Sequence, residues 1–246
     1  MKFVQNYNVR WHDTNANREI TPSAILTLMQ ETTNKHIQTM YPNLEYIRDV
    51  LHQAFILSKV YMRFYEPAYA YDDITVETWT GMESRGFTFY RSFCVKKNDI
   101  VIADALTVWC LVDTVSKRLL PITKFENNFI DEESLKIDIP RKIKFPTDLP
   151  LEYVGTRKIV YSDIDYNLHM NNTHYPNMIV NYLPSPETHF VKELMLSFLQ
   201  GALYNEELSV HRTSENGVFY FKTLNSDGKT CLESFVKTEP RFDTIK

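Results

Sequence analysis

The stretch Ser162–Pro176, SDIDYNLHMNNTHYP, gathers two acids, three amides and two histidines within fifteen residues, directly before an apolar run with helical spacing. These side-chain types can do hydrolytic chemistry. A carboxylate such as Asp165 can orient or deprotonate water, and a histidine such as His169 can share the proton. An amide such as Asn167 can hold an oxygen without changing charge. A helix starting just after them adds unpaired N–H groups and a partial positive charge, which suit a carbonyl oxygen that turns negative during attack. Pro176 falls in the first helical turn, where its missing N–H costs little. The same residues also build ordinary turns: Asp and Asn are frequent there, and His169 can equally be a hydrogen-bonded structural histidine. Asp165, His169 and His174 match no closed metal-ligand spacing, so no metal is expected.

Elements on either side must position this stretch. TRKIVYSD before it reads as a strand and NNTHYPNMIVNYLP after it as a helix. HFVKELMLSFLQGA, EELSVHRTS, GVFYFKTLNSDGKT and CLESFVKTE then read as strands, with SDGK as a hairpin turn. The same order occurs earlier. MKFVQNYNVRW reads as a first strand, and TPSAILTLMQETTNKHIQTM as a helix, with Thr21 as cap and Pro22 at the first position. Four β-branched and aromatic runs from Ala54 to Thr114 follow in meander order, with KKND as a turn. No helix separates them, so the sheet is antiparallel. Residues 121–150 hold four of the eleven prolines and mixed charges, and read as a linker crossing a surface.

Helix followed by antiparallel sheet, twice, is an internal repeat at the level of elements. The expected class is α+β: two sheets, each wrapped round a long central helix, which pair edge to edge as a built-in dimer. The bounds are 1–135 for the first repeat, 136–150 for the linker and 151–246 for the second. Asp73 falls on Glu207. Aligned on the helix caps, Thr21 falls on Asn172, Thr14 on Asp165, Ala16 on Asn167 and Arg18 on His169. In that alignment the first copy keeps the cap and lacks the acid–amide–imidazole set, so the second copy carries groups that capping does not need.

Composition narrows the function classes. The chain has 246 residues, 43% hydrophobic and 24% charged, as in an ordinary globular protein with a full core. A net charge of −4 points to neither nucleic acid nor an anionic membrane. No stretch reaches the roughly 20 apolar residues of a membrane span, and the N-terminus lacks the apolar core of a secretory signal. Cys94, Cys110 and Cys231 form no CxxC and suit free thiols in a reducing compartment, with the cytoplasm as the expected location. Six glycines, with no GxGxxG and no Walker sequence, argue against a phosphate loop, and no cofactor is expected.

The motif D-x-x-x-H-x-N-N-x-x-Y, carried here by Asp165, His169, Asn171, Asn172 and Tyr175, resembles that of the hot-dog-fold thioesterases. The tighter resemblance is to the acyl-acyl carrier protein thioesterases of plant plastids and bacteria. Their second hot-dog repeat carries D-x-N-x-H-x-N-N, matched by Asp165, Asn167, His169, Asn171 and Asn172, and their two-repeat layout covers nearly the whole chain. Hot-dog hydratases carry D-x-N-x-x-H, one residue longer than the spacing here. One position departs from the thioesterase pattern: the Glu of the following strand falls on Gly201, and the Cys that plant members place after it falls on Ala202. Gln200 or a bound water would then take over the role of that Glu, or activity would be low. Glu206 and Glu207 open the next strand, with side chains toward solvent.

The resemblance implies hydrolysis of a fatty acyl thioester to free acid and carrier thiol. Asp165 would be general base or nucleophile. Asn167 and His169 would position water and stabilise the oxyanion, with N–H groups around Asn171 and Asn172 as further donors. The acyl tail would lie against Ile25, Leu28, Met29, Ile56, Phe64 and Trp109, each of which is equally an ordinary core residue. The partner would be an acidic acyl carrier protein, docked on Arg141, Lys142, Lys144, Arg157 and Lys158, which also read as a solvated basic stretch. A thioesterase acting on coenzyme A esters and a non-catalytic acyl-binding module both stay open, as does a homodimer.

Overall fold

A computed structural model describes residues 2–82, 84–125 and 132–241. The chain divides into two units, Met1–Ile20 with Ala24–Ile139, and Thr21–Ser23 with Pro140–Lys246.

The first unit opens with β1 (Phe3–Asn8), a 3-10 turn at Trp11–Asp13, α1 (Pro22–Gln38) and α2 (Leu44–Asp49). Strands β2 (Gln53–Phe64), β3 (Asp73–Thr80), β4 (Thr88–Lys97), β5 (Ile100–Asp113) and the short β6 (Leu119–Leu120) follow. Helix α1 starts at Pro22, whose fixed φ suits the first position. It is long because Ala24, Ile25, Leu26, Met29 and Ile37 bury one side of it. Each large aliphatic side chain so buried contributes about 1.5–3 kcal/mol. The Tyr7 hydroxyl of β1 lies 2.9 Å from Thr32 Oγ1, and Phe3 stacks on His36 at 4.9 Å between centroids.

Pairing in this unit is antiparallel in the order β1-β3-β4-β5-β2, with β6 on the free end of β5. The meander expectation therefore holds for β3, β4 and β5 but not for β2, which crosses to the far side and pairs with β5. Asn98 and Asp99 join β4 to β5 with φ of 50° and 63°, the primed turn that matches strand twist. Phe55, Phe89 and Phe125 meet edge to face at 5.1 to 6.1 Å in an apolar cluster with Ile37, Ile47 and Leu111.

The second unit repeats the plan. It has β7 (Glu152–Lys158), 3-10 turns at Tyr161–Asp163 and Asn172–His174, α3 (Tyr175–Val180), β8 (His189–Phe198), β9 (Glu207–Glu215), β10 (Val218–Leu224) and β11 (Thr230–Pro240). The order β7-β9-β10-β11-β8 is the first unit's order again, and all its pairings are antiparallel. Gly228, at φ 73°, closes the β10–β11 turn. The element-level repeat is thus present, with Asp73 and Glu207 opening corresponding strands.

A long helix is present in the first unit, 17 residues in α1, and the second unit does not match the expectation of one. The second unit has six α-helical residues where the apolar run suggests fourteen. Prolines explain both ends. Pro176 has no N–H to close an α turn onto Asn172, so Asn172–His174 winds as a 3-10 turn, with the Tyr175 N–H bonding Asn172 O. Pro184 disfavours helical backbone at Leu183, where the chain closes with Tyr182 N–H to Ile179 O and Leu183 N–H to Val180 O.

The proline-rich stretch is tied down where it is described; residues 126–131 lie outside the described residues. In the first unit, Trp79 Nε1 donates to Glu133 O and Leu135 N–H donates to Ser92 Oγ. In the second, Ile143 is buried, Phe145 packs on Tyr220, and Lys222 lies over the Phe145 ring.

Candidate active site

The loop from Val160 to Thr173 is fixed by its own hydrogen bonds. Asp163 is buried; its Oδ2 accepts from Val160 N–H at 2.9 Å and its Oδ1 from Arg157 Nη2 at 2.6 Å, with His174 Nδ1 at 3.3 Å from the same Oδ1. Its carbonyl accepts Asn171 N–H at 2.8 Å. Asp165 Oδ1 accepts Asn167 N–H at 2.7 Å, Asp165 N–H bonds His169 O, and Leu168 turns the chain with φ of 64°. The Asn171 side chain caps the turn, accepting from Thr173 N–H at 3.0 Å and Thr173 Oγ1 at 2.9 Å. His174 N–H bonds Asn171 O, so the Asn172 N–H is the donor of this turn that these bonds leave unused.

The first unit builds the same loop from other side chains. Asn15 Oδ1 accepts Asn17 N–H at 2.8 Å, Asn15 N–H bonds Glu19 O, and Arg18 has φ of 64°. Asp13 takes the place of Asp163, bonded to Arg10 N–H and doubly to the Arg10 guanidinium. The bridge Thr14–Ile20 answers to Ile164–Met170. These pairs set the register at 150 residues, one fewer than the cap alignment. Asn15 therefore matches Asp165, Asn17 matches Asn167, Glu19 matches His169 and Thr21 matches Asn171. The cap alignment fails because Asn171 caps a 3-10 turn that the first copy does not have. The asymmetry survives in a corrected form: both loops keep the turn, and the second alone has the ionisable Asp165 and the imidazole.

Asp165 is half-buried, while Asn167 and His169 are exposed. Among the described residues, no hydrogen bond engages the His169 ring or the Asn167 amide, so both are available to a ligand. The His169 ring lies against Gly201: a Cβ built there would stand 2.3 Å from Cδ2 and 2.7 Å from Cγ. Glu206 does not replace the missing Glu side chain. Its Oε2 accepts Leu203 N–H at 2.9 Å, closing a turn, and Asp72 does the same for Tyr69 N–H in the first unit. Glu206 is also half-buried, unlike the outward side chain expected for it, while Glu207 is exposed.

Tyr175 of the motif is buried, edge to face with Phe198 at 5.3 Å, and burial raises its phenol well above the usual range. It is a packing residue that the motif could not distinguish from a site residue. Cys231 is buried next to this group and its thiol is pushed up to about 11, first by burial and then by the Glu206 charge, so it stays protonated near neutral pH. Asp163 was visible in the sequence only as a neighbour of Asp165; its repetition as Asp13 is the signal of a scaffold role.

The remaining candidates are dispersed. Arg157 and Lys158 line a cleft of about 570 Å³ with His174 and Asn177, while Lys142 and Lys144 are exposed on either side of buried Ile143, next to Arg141. In the first unit, Ile25, Met29 and Phe64 are buried, and Leu28 and Trp109 are half-buried. Ile56 is 50% exposed, on the opposite face of β2 from Phe55 and Leu57. Among the described residues no three His, Cys, Asp or Glu side chains stand together as metal ligands, and no helix is long and apolar enough to cross a membrane.

Comparison with known proteins agrees with this layout. Residues 1–128 match the family model of the acyl-ACP thioesterase N-terminal domain, and residues 154–234 that of the C-terminal domain. The chain is 22% identical to oleoyl-acyl carrier protein thioesterase 2 of Arabidopsis thaliana chloroplasts, over 98% of this chain and 71% of that protein. It is 22% identical to the chloroplastic palmitoyl-acyl carrier protein thioesterase of the same plant, over 74% of this chain but only 47% of that protein. In fold it is similar to an acyl-ACP thioesterase from Bacteroides thetaiotaomicron, with a TM-score of 0.85 and 20% identity over 97% of this chain and 98% of that one. It is likewise similar to the 12:0-ACP thioesterase from Umbellularia californica, with a TM-score of 0.83 and 19% identity over 98% of each chain. Two family models in the expected order, over a repeated antiparallel fold, place this chain in the acyl-ACP thioesterase family.

Proposed function

We propose that the protein hydrolyses fatty acyl-acyl carrier protein thioesters, releasing free fatty acid and ending chain elongation. The observation that carries this reading is the contrast between two loops of one backbone plan. The first holds its turn with Asn15, so the carboxylate of Asp165 is not needed for the turn. Asp165 acts as general base toward water, or as nucleophile. The side chains of Asn167 and His169 are exposed and make no hydrogen bond among the described residues, and they hold the water and the developing oxyanion, with Asn172 N–H as a further donor. Cys231 takes no part, because its thiol stays neutral.

The acyl tail is assigned to the apolar side of the first unit, against Ile25, Leu28, Met29, Phe64 and Trp109; the exposure of Ile56 makes it the weakest member of that set. The acidic carrier is assigned to the basic residues Arg141, Lys142, Lys144, Arg157 and Lys158, and the reducing cytoplasm suits three free thiols. Coenzyme A esters are the second reading, favoured by the basic cleft at Arg157, Lys158 and His174.

The test is thiol release from carrier-protein thioesters of graded chain length, beside matching coenzyme A esters. Release from carrier esters is expected, and Asp165→Asn should lower kcat by about 10³-fold, within the range for general acid–base groups. Thiol release from neither class by the folded protein would leave only acyl binding, and normal turnover by Asp165→Asn would end the role given to Asp165.

A further inference from the structure

Gly201 follows β8 in the segment that lies beside the site loop. His169 bridges to Leu203, and Met170 N–H bonds Ala202 O at 2.8 Å. A glycine is usually kept where the backbone needs a left-handed φ, but Gly201 is not among the positive-φ residues. Its backbone would accept alanine. What excludes a side chain is the imidazole of His169. A Cβ on residue 201 would stand 2.3 Å from Cδ2, 2.7 Å from Cγ and 2.9 Å from Nε2.

Those three distances also give the attitude of the ring. Approach along the ring edge would leave Cγ and Nε2 much farther away than Cδ2. Their small spread puts the position that a Cβ on residue 201 would take against the ring face near Cδ2. The imidazole thus rests flat on bare backbone and can still accept or donate at either nitrogen. The first unit shows the alternative. The residue matching His169 there is Glu19, which has no ring, and the residue matching Gly201 is Pro67, whose side chain is accommodated.

We propose that Gly201 is a positioning residue for His169: the missing side chain forms a flat seat that fixes the plane of the imidazole in the site. This rests on the reading of His169 as part of the catalytic group. An exposed imidazole without a hydrogen-bonded partner has several rotamers to choose from, and turnover depends on the fraction held in the productive one. Alanine at 201 would remove the seat by pushing the ring aside. The backbone would not move, because the colliding atoms belong to a side chain that can rotate.

The experiment is a double-mutant cycle on kcat and KM with an acyl-carrier thioester: Gly201→Ala, His169→Ala and both together. Gly201→Ala is expected to lower kcat by about 10-fold to 100-fold with KM changed less than about threefold, as for a displaced acid–base group. The double variant is expected to be no slower than His169→Ala alone, because the seat has no function without the ring. Thermal unfolding of all three is followed in parallel. If Gly201→Ala loses stability, the double variant should regain it, since the collision is with the ring. Gly201→Ala with kcat within twofold of the parent, fully additive losses, or stability not regained in the double variant would each overturn the proposal. Normal turnover by His169→Ala would instead overturn the role given to His169 itself.

Discussion

The loops before the helices of the two units share a backbone and differ in chemistry. Both hold a 3-10 turn closed by an aspartate (Asp13, Asp163), an Asx turn (at Asn15, Asp165) and a left-handed residue (Arg18, Leu168). Only the second has a carboxylate at the turn position, half-buried Asp165 in place of Asn15, and an exposed imidazole whose ring has no hydrogen-bond partner among the described residues. The lesson is a separation of duties. The turn, the aspartate that closes it and an asparagine (Asn17, Asn167) are common to both loops, whereas the Asp165 carboxylate and the His169 ring appear in the second alone.

The sharpest way to break this comparison is to give the second loop the side chains of the first. Asp165→Asn with His169→Glu should lower turnover by about 10³-fold or more, while the unfolding midpoint moves by less than about 3 °C. The converse, Asn15→Asp, should leave turnover within twofold. A large loss of stability in the first variant would mean that the site residues also serve the scaffold.

The shared aspartates should behave in the opposite way. Asp163 is buried and multiply bonded, so Asp163→Ala should destabilise by about 2–4 kcal/mol, lowering the midpoint by roughly 5 to 15 °C. The Arg10 guanidinium bonded to Asp13 holds that carboxyl below its ordinary range. Arg10 is largely exposed, so Asp13→Asn should cost only about 1 kcal/mol after screening. The sign follows from the depressed folded value. The Asp13 contribution is present above the unfolded carboxylate range near about pH 4 and disappears as pH falls through the folded value. Parent and Asp13→Asn should therefore differ at pH 7 and converge in acid, as read by denaturant unfolding across that range.

The smallest effects belong to groups near the site that only complete the fold. Glu206→Gln can still accept the Leu203 N–H, and should change stability by less than about 1 kcal/mol and turnover by less than about threefold. Cys231→Ser should likewise preserve turnover, and iodoacetamide at pH 7.5 should label Cys231 slowly, because a thiol pushed up to about 11 is almost wholly protonated there. Rapid labelling coupled to loss of activity would reopen a role for the thiol.

Much of this was legible in the chain. Strand runs, the Asn98–Asp99 and Gly228 turns and the start of α1 at Pro22 depend on neighbouring residues, so local chemistry predicts them. The repeat was visible as an order of elements. The partner of β2 was not, because pairing across the sheet to β5 is a property of the whole unit. The short second helix was written in Pro176 and Pro184, but the apolar run between them suggested more turns than the prolines permit. The register slipped by one residue because Thr21 and Asn171 precede different kinds of turn. At the site, Asp165, Asn167 and His169 could be named from type and spacing. What lies over Gly201 could not, because the ring and the glycine are 32 positions apart in sequence.

The ladder shift in β7 has a consequence for association. This strand ends the pairing order of its sheet, where unsatisfied N–H and C=O groups can recruit a strand from another molecule. At Gly155 the φ of 154° breaks the register between Tyr153 and Gly155, and the Tyr182 ring occupies the space above the glycine. A kinked edge with charged Glu152, Arg157 and Lys158 along it is a poor template for strand addition. The same bulge that lets Tyr182 close over the sheet therefore also guards the molecule against edge-to-edge aggregation.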